Sequence, residues 1–393
     1  MTPAARAQAA IELLDQVIEA ARSGGAAADT IAQRFFAARR YAGSKDRRAI
    51  RALAYDAIRS FGERPANGRA ALVGLARSRP ELAETFDGSP YGPAPVDPAE
   101  PAAEAGLAPR WLMDALAASG LGGDEVAALL DRAPVDVRVN RLKADRASVQ
   151  AEIGGESLGF ALDALRLGTD APVEPLAAWR EGRIEVQDAG SQLVSSIAGA
   201  EADMLVVDLC AGGGGKTLSL AAAMDNRGRI VASDTDRGRL SRLPERAHRA
   251  GVTIAETRLL DPNREPEGLS GLAGQADLVL VDAPCSATGT WRRNPEARWR
   301  LSPERLDRFA AVQARLLDVA AALVRPGGSL TYVVCSLLDA EGADQIAGFR
   351  ARHSDWAVLP IVAAAGRAHG GGLRLTPAHD GTDGFFVARL VRP

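Results

Sequence analysis

Four short runs rich in β-branched residues, each followed by a stretch with helical spacing, constrain the fold of this chain most strongly. The runs are "MLVVDL", "GRIVASD", "ADLVLVDAP" and "GSLTYVVCS". Strands that alternate with helices in this way are typical of a parallel, doubly wound sheet with helices on both faces. In such sheets ligands bind beyond the carboxyl ends of the strands. We therefore predict an α/β domain over residues 181–393 with its site at that edge.

The chain before residue 181 has a different character. Apolar residues recur at helical spacing in 11–18 and 50–61, which predicts an all-helical domain over residues 1–86. Residues 87–104 contain five prolines in a short polar stretch, which predicts an extended linker and a domain boundary. Residues 105–180 combine two short helical patterns with an alternating strand, and we expect a helical hairpin plus a small α+β module.

Composition narrows the class of protein. The 393 residues are 47% hydrophobic and 25% charged, as expected of a chain that folds around packed cores. The apolar runs are far shorter than the roughly 20 residues of a membrane span. Glu12 and Asp15 interrupt the amino-terminal apolar stretch, which therefore resembles a helix more than a secretory signal. We expect a cytosolic, monomeric protein without membrane contact or bound metal.

The three cysteines have neither CxxC spacing nor an even number, so we expect reduced thiols. Cys210, Cys285 and Cys335 each follow one of the β-branched runs. The carboxyl ends of parallel strands share one edge of the sheet, so the thiols should converge there although they are distant in sequence. We expect Cys210 to be a small packing residue under the loop that it begins.

A glycine-rich loop follows the first strand of the α/β domain. Its residues, which we expect to bind a cofactor, are Cys210, Ala211, Gly212, Gly213, Gly214, Gly215 and Lys216. A Walker A loop would need glycine at position 210, and a dinucleotide fingerprint would need glycine at 217. Asp234 ends the second strand, where a carboxylate can meet ribose hydroxyls, and Asp261 follows a third strand, where it can meet an adenine amino group. A nucleoside cofactor without a phosphate chain fits best, and S-adenosylmethionine is the common one; a turn or capping role for the two aspartates stays open.

Two basic segments are candidates for RNA contact. The first includes Arg39, Arg40, Arg47 and Arg48, which form either a phosphate-binding face or a solvated helix surface. The second, "TWRRNPEARWR", interleaves tryptophan with arginine, as a loop that grips single-stranded RNA does. Its candidate residues are Trp291, Arg292, Arg293 and Arg298, with Trp299 and Arg300 in the same run. A core role for the tryptophans is the alternative.

Four ordered motifs carry a family resemblance: "DLCAGGGGKT", "VDAPCSATGTWRRNPEARWRLSP", "VVCSLLDAEG" and "RLTPAHDGTDGFFVARL". They resemble the RNA cytosine-C5 methyltransferases of the Sun/Nop family, and within it the RsmB-like enzymes of bacterial 16S rRNA. Upstream, "RVNRLK" and "GRIEVQDAGSQL" resemble segments that precede the catalytic domain in that family. The amino-terminal helices are similar to its NusB-like RNA-binding domain. The resemblance implies a Rossmann-like methyltransferase domain and methylation of cytosine C5 in RNA.

The resemblance also implies roles for individual residues. Carbon 5 of cytosine becomes nucleophilic only after a nucleophile adds at carbon 6, a role that suits a thiolate. The family pattern makes Cys335 this nucleophile and Cys285 the thiol that assists release. The reverse assignment, as in DNA cytosine methyltransferases, stays open. The pattern also implies that Asp282 contacts the base or the cofactor and that Arg239 reaches the cofactor; Lys216 can orient Asp282 or the base, or face solvent.

The chain departs from the family pattern at two positions after the third motif. Asp339 stands where relatives usually carry proline, and Gly342 replaces a common asparagine. A tRNA substrate is an alternative to rRNA. A non-catalytic RNA-binding assembly factor and a methyltransferase for small molecules or proteins are further alternatives, although neither has a use for paired strand-end thiols.

Overall fold

The computed structural model describes residues 1–393, which form two compact units. The helical unit comprises Met1–Asp131 together with Thr290–Ser302. The sheet unit comprises Arg132–Gly289 and Pro303–Pro393. The chain thus leaves the sheet unit once, adds a short segment to the helical unit and returns.

Seven helices build most of the helical unit. They are α1 (Pro3–Ser23), α2 (Ala28–Ala37), α3 (Ser44–Ser60), α4 (Gly68–Ala76), α5 (Pro80–Ala83), α6 (Arg110–Ala118) and α7 (Gly123–Ala128), and the inserted segment adds a 3₁₀ helix, Pro295–Arg300. Helix α1 begins where the Thr2 side chain accepts a hydrogen bond from the Ala5 amide, and it ends at Gly24 in the left-handed region. The helical spacing that predicted α1 and α3 marks their buried faces, so this prediction is confirmed.

The proline-rich stretch does not divide the chain. It contains no helix or strand, as predicted, but it belongs to the helical unit. Arg69 of α4 holds the Glu100 carboxylate through two hydrogen bonds of 2.7 and 2.9 Å. The Ala103 amide also donates to the Ala70 carbonyl at 2.9 Å. These contacts fix the segment against α4, and the units instead meet in sequence at residues 131 and 132, so the expected helical hairpin α6–α7 lies in the helical unit.

The sheet unit begins with a small antiparallel module. Its strands are β1 (Val135–Val139), β2 (Glu156–Ser157), β3 (Ala164–Leu167) and β4 (Ile184–Val186), in the order β2-β3-β1-β4, and its helices are α8 (Arg146–Ile153) and α9 (Ala177–Arg180). Buried Asp136 of β1 pairs with Arg166 of β3 at 2.8 Å and accepts a hydrogen bond from the Ala189 amide at 3.0 Å. Ala189 begins the next helix, so this carboxylate anchors the module to that helix.

A nine-stranded mixed sheet forms the rest of the sheet unit. Its strands are β5 (Leu205–Leu209), β6 (Arg229–Asp234), β7 (Ala255–Leu259), β8 (Ala276–Asp282), β9 (Val324–Val334), β10 (Ala357–Leu359), β11 (Arg367–His369), β12 (Gly372–Leu375) and β13 (Phe385–Val391). Its helices are α10 (Ala189–Ile197), α11 (Gly215–Ala223), α12 (Arg237–Leu240), α13 (Leu243–Ala250), α14 (Glu265–Leu269), α15 (Pro303–Leu323), α16 (Ala343–Arg352) and α17 (Pro377–Asp380). Short 3₁₀ helices lie at Ser270–Leu272, Thr288–Thr290 and Asp339–Glu341.

The strand order places the candidate site. The order is β11-β12-β13-β9-β8-β5-β6-β7, and β5 to β9 run parallel, which confirms the predicted sheet. An antiparallel edge of β10 to β13, which the sequence did not predict as such, extends it. The chain runs outward from β5 to β7 on one side and restarts with β8 on the other. The carboxyl ends of β5 and β8 therefore flank the crevice at the topological switch point. None of the helices combines the length and the apolar sequence that a membrane span requires.

Candidate active site

The glycine-rich loop joins β5 to α11 at this crevice. Cys210 has φ +68° and Gly214 has φ +82°, so the chain turns sharply twice before the helix begins. A side chain at Gly214 would collide with Leu243, and only glycine fits there. No side chain caps the first turn of α11. The loop therefore offers free backbone N–H groups next to the crevice.

Asp234 holds the loop in shape. Its carboxylate accepts hydrogen bonds from the Gly212 and Asp236 amides, each at 2.7 Å, and it is 7% exposed. Each oxygen retains a second lone pair for a ligand hydroxyl. The Arg239 guanidinium lies against Gly212, where a Cβ would clash with it. Both predicted cofactor residues thus stand at the loop, and Asp234 also has a structural task that the sequence alone did not indicate.

Two further residues that were predicted to bind the cofactor differ in burial. Cys210 packs partly against the sheet core, and burial raises the pKa of its thiol, in keeping with the expected packing role. Asp261 is exposed in the turn after β7. The Gly213 carbonyl accepts a hydrogen bond from Arg246, which also pairs with buried Glu185 of β4 at 3.0 Å. The small module therefore supports the loop through an arginine that the sequence did not single out.

Lys216 and Asp282 form an ion pair across the crevice. The Lys216 Nζ atom lies 2.7 Å from Oδ2 of Asp282, with the two side chains 10% and 29% exposed. Burial lowers the pKa of the Lys216 ammonium, but the Asp282 carboxylate and Cys335 raise it, and the net direction is upward. The lysine therefore remains a cation, and its predicted contact with Asp282 is present rather than a solvent-facing orientation.

Two of the three thiols meet. The Sγ atoms of Cys285 and Cys335 lie 3.4 Å apart, within hydrogen-bond range for sulfur. Contact with Cys335, burial and the charge of Glu341 raise the pKa of the Cys285 thiol well above its ordinary range. The strand-end prediction is confirmed for all three cysteines, but Cys210 is not part of this pair.

Buried polar residues behind the thiols were missed by the sequence reasoning. Glu341 is fully buried and accepts hydrogen bonds from Ser286 and Ser336, the residues that directly follow the two cysteines. The Thr288 and Ser336 hydroxyls lie 3.1 Å apart. Ala287, between these residues, has φ +57°. The sequence does contain a Cys-Ser dipeptide at both strand ends. This repeat does not indicate that the two serines donate hydrogen bonds to the same carboxylate.

Asp208 is a second residue that was missed. It lies on β5, fully buried, and its Oδ2 accepts a hydrogen bond from the Thr217 hydroxyl at 2.6 Å. Its Oδ1 has no hydrogen-bond partner. Burial raises the pKa of Asp208 to about 7. A titratable group thus lies directly under the glycine-rich loop.

The first basic segment lies on the surface of the helical unit. Arg40, Tyr41 and Arg48 are exposed, Tyr41 at 72%. Arg39 instead stacks 3.6 Å from the Phe35 ring centroid and pairs with Glu12, and Arg47 donates to a backbone carbonyl. Only part of the predicted set therefore remains available to a ligand, with an exposed aromatic ring beside it.

The second basic segment is mostly buried, which corrects the expectation that it grips RNA. Arg298 is fully buried and donates to the carbonyls of Ile58 at 2.5 Å and Phe61 at 3.0 Å. The Trp299 indole also donates to the Phe61 carbonyl, at 2.9 Å. Trp291 and Arg292 are likewise buried, whereas Arg293 is partly exposed. The core alternative holds for both tryptophans because both are buried, and Trp299 belongs to the hydrophobic core of the helical unit.

Metal ligands are not assembled at the crevice. The chain contains no group of three or more histidine, cysteine, aspartate or glutamate side chains placed to hold a metal ion.

Comparisons with known proteins identify the family. A family model described as the 16S rRNA methyltransferase RsmB/F matches residues 196–391. Ribosomal RNA small subunit methyltransferase B of Klebsiella pneumoniae is 36% identical over 293 residues, which cover 73% of this chain and 66% of that protein. The probable ribosomal RNA small subunit methyltransferase B of Bacillus subtilis is 31% identical over 326 residues, which cover 77% of this chain and 70% of that protein. The chain spans just under two thirds, 66%, of the first of these relatives.

The fold has a match among solved structures over its whole length. The crystal structure of PH0851 superposes with a TM-score of 0.76 and 26% identity, and the match covers 99% of both chains. The family model and the two relatives agree on one assignment. The chain belongs to the RsmB/F family of 16S rRNA methyltransferases.

Proposed function

We propose that the protein methylates carbon 5 of a cytosine in small-subunit rRNA, with S-adenosylmethionine as methyl donor and Cys335 as covalent nucleophile. The observation that carries the proposal is the pair of thiols 3.4 Å apart, beside the Lys216–Asp282 ion pair. Methylation of oxygen or nitrogen needs no thiol, and RNA binding alone needs none either. Two adjacent cysteines at a strand edge are suited to a reaction in which one thiol adds to the base and another assists its departure.

The residues at the crevice fit the proposed cofactor. S-adenosylmethionine carries a methyl group on a positively charged sulfur and supplies it as an electrophile. The uncapped N–H groups of α11 would bind its carboxylate, and Asp234 would accept hydrogen bonds from its ribose hydroxyls. Asp261 and Arg239 would contact the adenosine part. Asp282 would face the positive end of the cofactor or the amino group of the base.

The first chemical step belongs to Cys335. Its thiolate sulfur forms a bond to carbon 6 of cytosine, and the π electrons between carbons 5 and 6 move toward carbon 5, which becomes the nucleophile for the incoming methyl group. Lys216 and Asp282 would position the ring and bind its polar edge. The methyl group would bond to carbon 5, which still carries its hydrogen, while the bond from the methyl group to the donor sulfur breaks and leaves its electron pair on that sulfur.

Release involves both thiols. In one concerted step the Cys285 thiol gives its proton to the departing Cys335 sulfur and takes the carbon 5 proton in its place. The electrons of the carbon–hydrogen bond restore the double bond between carbons 5 and 6. The bond from carbon 6 to the Cys335 sulfur breaks, and this sulfur leaves with the electron pair and takes the original thiol proton of Cys285. Both side chains end as thiols. Cys335 then loses its proton to water before the next cycle, so one proton is released for each methyl group transferred.

RNA would bind through the exposed basic residues. Arg40 and Arg48 would contact phosphates, and Tyr41 offers a ring on which an unpaired base can stack. The target base must leave its stack to reach the crevice, which favours a loop or other unpaired cytosine. We propose that the helical unit, like the NusB-like domain that it resembles, binds RNA in this way and that the protein acts in the cytoplasm.

The test is methyl transfer from labelled S-adenosylmethionine to unmodified small-subunit rRNA, with total tRNA as the competing substrate. Nuclease digestion and mass spectrometry should detect 5-methylcytidine in the rRNA, and bisulfite sequencing should locate it at one position. Cys335→Ala is the matched control and should give no product. Cofactor binding without methylation of any RNA would overturn the proposal and favour an RNA-binding assembly factor. Methylation of tRNA alone would refute the substrate but retain the chemistry.

A further inference from the structure

One buried carboxylate joins the two loops that carry the thiols. Glu341 is 0% exposed. Its Oε1 accepts hydrogen bonds from the Ser286 backbone amide at 2.8 Å and from Nε2 of Gln313 at 3.0 Å. Its Oε2 accepts from the hydroxyls of Ser286 and Ser336, the latter at 2.5 Å. Four hydrogen bonds therefore meet on a single side chain.

The hydrogen bonds of Glu341 fix the two cysteines indirectly. Ser286 directly follows Cys285, and Ser336 directly follows Cys335. The two sulfurs thus belong to residues whose neighbours are bound to the same carboxylate. A change in this side chain would alter the separation of the loops, and with it the contact between the thiols.

Glu341 also makes the two thiols electrically unequal. All of its hydrogen-bond donors are neutral, so none of them cancels its charge. This negative charge disfavours ionisation of Cys285. The Lys216 ammonium, which is paired with Asp282 at 2.7 Å, interacts with Cys335, and this interaction raises the pKa of the lysine. The titratable groups around the pair are Glu341, Tyr332, Lys216 and its partner Asp282.

We propose that Glu341 is a positioning residue that holds the two cysteine loops in register and keeps the proton of the pair on Cys285, so that Cys335 carries the thiolate. In the resting pair the Cys285 thiol donates its hydrogen to the Cys335 sulfur across the 3.4 Å contact. The proton lost by Cys335 goes to water. This inference deepens the proposed function, because it states why one thiol attacks and the other assists release.

Glu341→Gln tests the charge of the side chain separately from its role in aligning the two cysteine loops. The amide oxygen of glutamine can replace Oε1 and accept from the Ser286 amide and Gln313, which can only donate there. The new NH₂ group replaces Oε2, where the Ser286 and Ser336 hydroxyls can rotate and become acceptors. The variant should therefore keep the hydrogen-bonded arrangement and lose the negative charge. Asp339→Asn is the matched control. It removes a carboxylate from the same 3₁₀ helix, but this carboxylate does not bind the two serines.

The measurement is the rate at which a small excess of iodoacetamide alkylates each cysteine of the intact protein, read by peptide mass spectrometry between pH 6 and 10. In the unchanged protein Cys335 should react faster than Cys285 by about tenfold or more, and from a lower pH upward. Glu341→Gln should reduce this ratio at least about threefold by speeding Cys285, whereas Asp339→Asn should leave it unchanged. Equal rates in the unchanged protein, or an unaltered ratio in Glu341→Gln, would overturn the inference.

The pH profile of the unchanged protein and a second variant test the inference independently of Glu341→Gln. The pH profile of the unchanged protein needs no variant, so it tests the thiolate assignment even if Glu341→Gln fails to fold. Ser336→Ala removes one of the four hydrogen bonds that Glu341 accepts but keeps the charge, and it should retain the preference for Cys335. Loss of the preference in this variant would refute the role of the charge. Alkylation needs neither RNA nor cofactor, so a protein that fails to methylate RNA but alkylates as expected would refute the proposed function and leave this inference standing.

Discussion

The Lys216 ammonium and the Asp282 carboxylate lie 2.7 Å apart and connect the first turn of α11 to the end of β8. The two residues come from opposite sides of the switch point between β5 and β8. Lysine is more deeply buried than its partner, with 10% of its side chain exposed against 29%. The ion pair therefore holds α11 and β8 together at the crevice, and it also places a cation and an anion there.

This unequal burial predicts unequal effects of substitution. Asp282→Asn leaves a buried ammonium without its counter-charge and should reduce the free energy of unfolding by about 1 to 3 kcal/mol, below the range for a fully buried pair. Lys216→Met leaves a carboxylate that water can reach and should cost less than about 1 kcal/mol. Urea denaturation of both variants measures the difference. Equal losses of unfolding free energy would show that burial does not determine the contribution of each partner. Methyl transfer should be lost in both variants.

The two cysteines should give opposite phenotypes. Cys335→Ala removes the proposed nucleophile and should reduce methyl transfer below detection, without trapping RNA. Cys285→Ala permits addition but slows release, so a protein–RNA adduct that survives denaturing electrophoresis should accumulate when cofactor is present. Gel mobility with labelled RNA provides the measurement. Trapping by Cys335→Ala instead would reverse the two roles.

Asp208 should make stability depend on pH. Burial raises its pKa in the folded protein from 3.8 to about 7, so its contribution to stability is fully present below about pH 4 and is lost as the pH rises through 7. Between these values the loss approaches about 1.4 kcal/mol for each pH unit. Asp208→Asn is neutral at every pH and retains an oxygen for Thr217. Urea unfolding should therefore show that the free energy of unfolding falls less between pH 5 and pH 8 in the variant than in the unchanged protein. An equal fall in both proteins would contradict this assignment.

Arg298 should be a stability residue of the helical unit. Arg298→Met keeps much of the buried volume but removes the guanidinium donor from the Ile58 and Phe61 carbonyls, of which Phe61 keeps the Trp299 indole. This loss should cost about 3 kcal/mol in unfolding free energy. The exposed Arg40→Ala should change stability by less than about 0.5 kcal/mol. Thermal and urea unfolding compare the two. A tolerated Arg298→Met with reduced RNA affinity would restore the RNA-contact interpretation of this segment.

Exposed basic residues of the same unit should instead govern RNA affinity. The double variant Arg40→Ala/Arg48→Ala should weaken binding and reduce the slope of log affinity against log salt by about 1.4, since each phosphate contact on a single strand contributes roughly 0.7. Tyr41→Ala should weaken binding with little change in that slope, because stacking is not ionic. Fluorescence anisotropy with an unpaired rRNA fragment measures both. Arg227→Ala, before the amino end of β6, is the control and should bind as the unchanged protein does.

The sequence predicts strands β5, β6 and β8 of the central sheet well because most of their residues are buried. Continuous β-branched runs such as β8 have only one stable placement, between other strands under two layers of helices. The antiparallel edge is different. Strand β10, Ala357–Leu359, is three residues long and partly exposed, so neither its length nor its pattern distinguishes it from a loop. Pairing with β13 decides its conformation, and this contact is not encoded locally.

The same limit applies to the site. Strand ends indicate which side chains reach the crevice, and this was sufficient to bring Cys285 and Cys335 together. It was not sufficient for Glu341, because one acidic residue in a turn gives no sign that two serines converge on it. The run around Trp299 was ambiguous for a related reason: an arginine beside a tryptophan can face RNA or carbonyls, and its carbonyl partners near residue 60 are contributed by a helix far away in sequence.

The segment Thr290–Ser302 has a consequence for attempts to take this protein apart. It is covalently part of the methyltransferase half of the chain, yet its Trp299 fills the interior of the helical unit. Cutting the chain at residue 131 would thus produce two incomplete fragments, one with a hole in its interior and one with an unsheltered tryptophan. Exchanging or deleting the amino-terminal half as a unit should fail unless the thirteen residues of this segment are replaced with it. The two halves are therefore constrained to change together over evolutionary time.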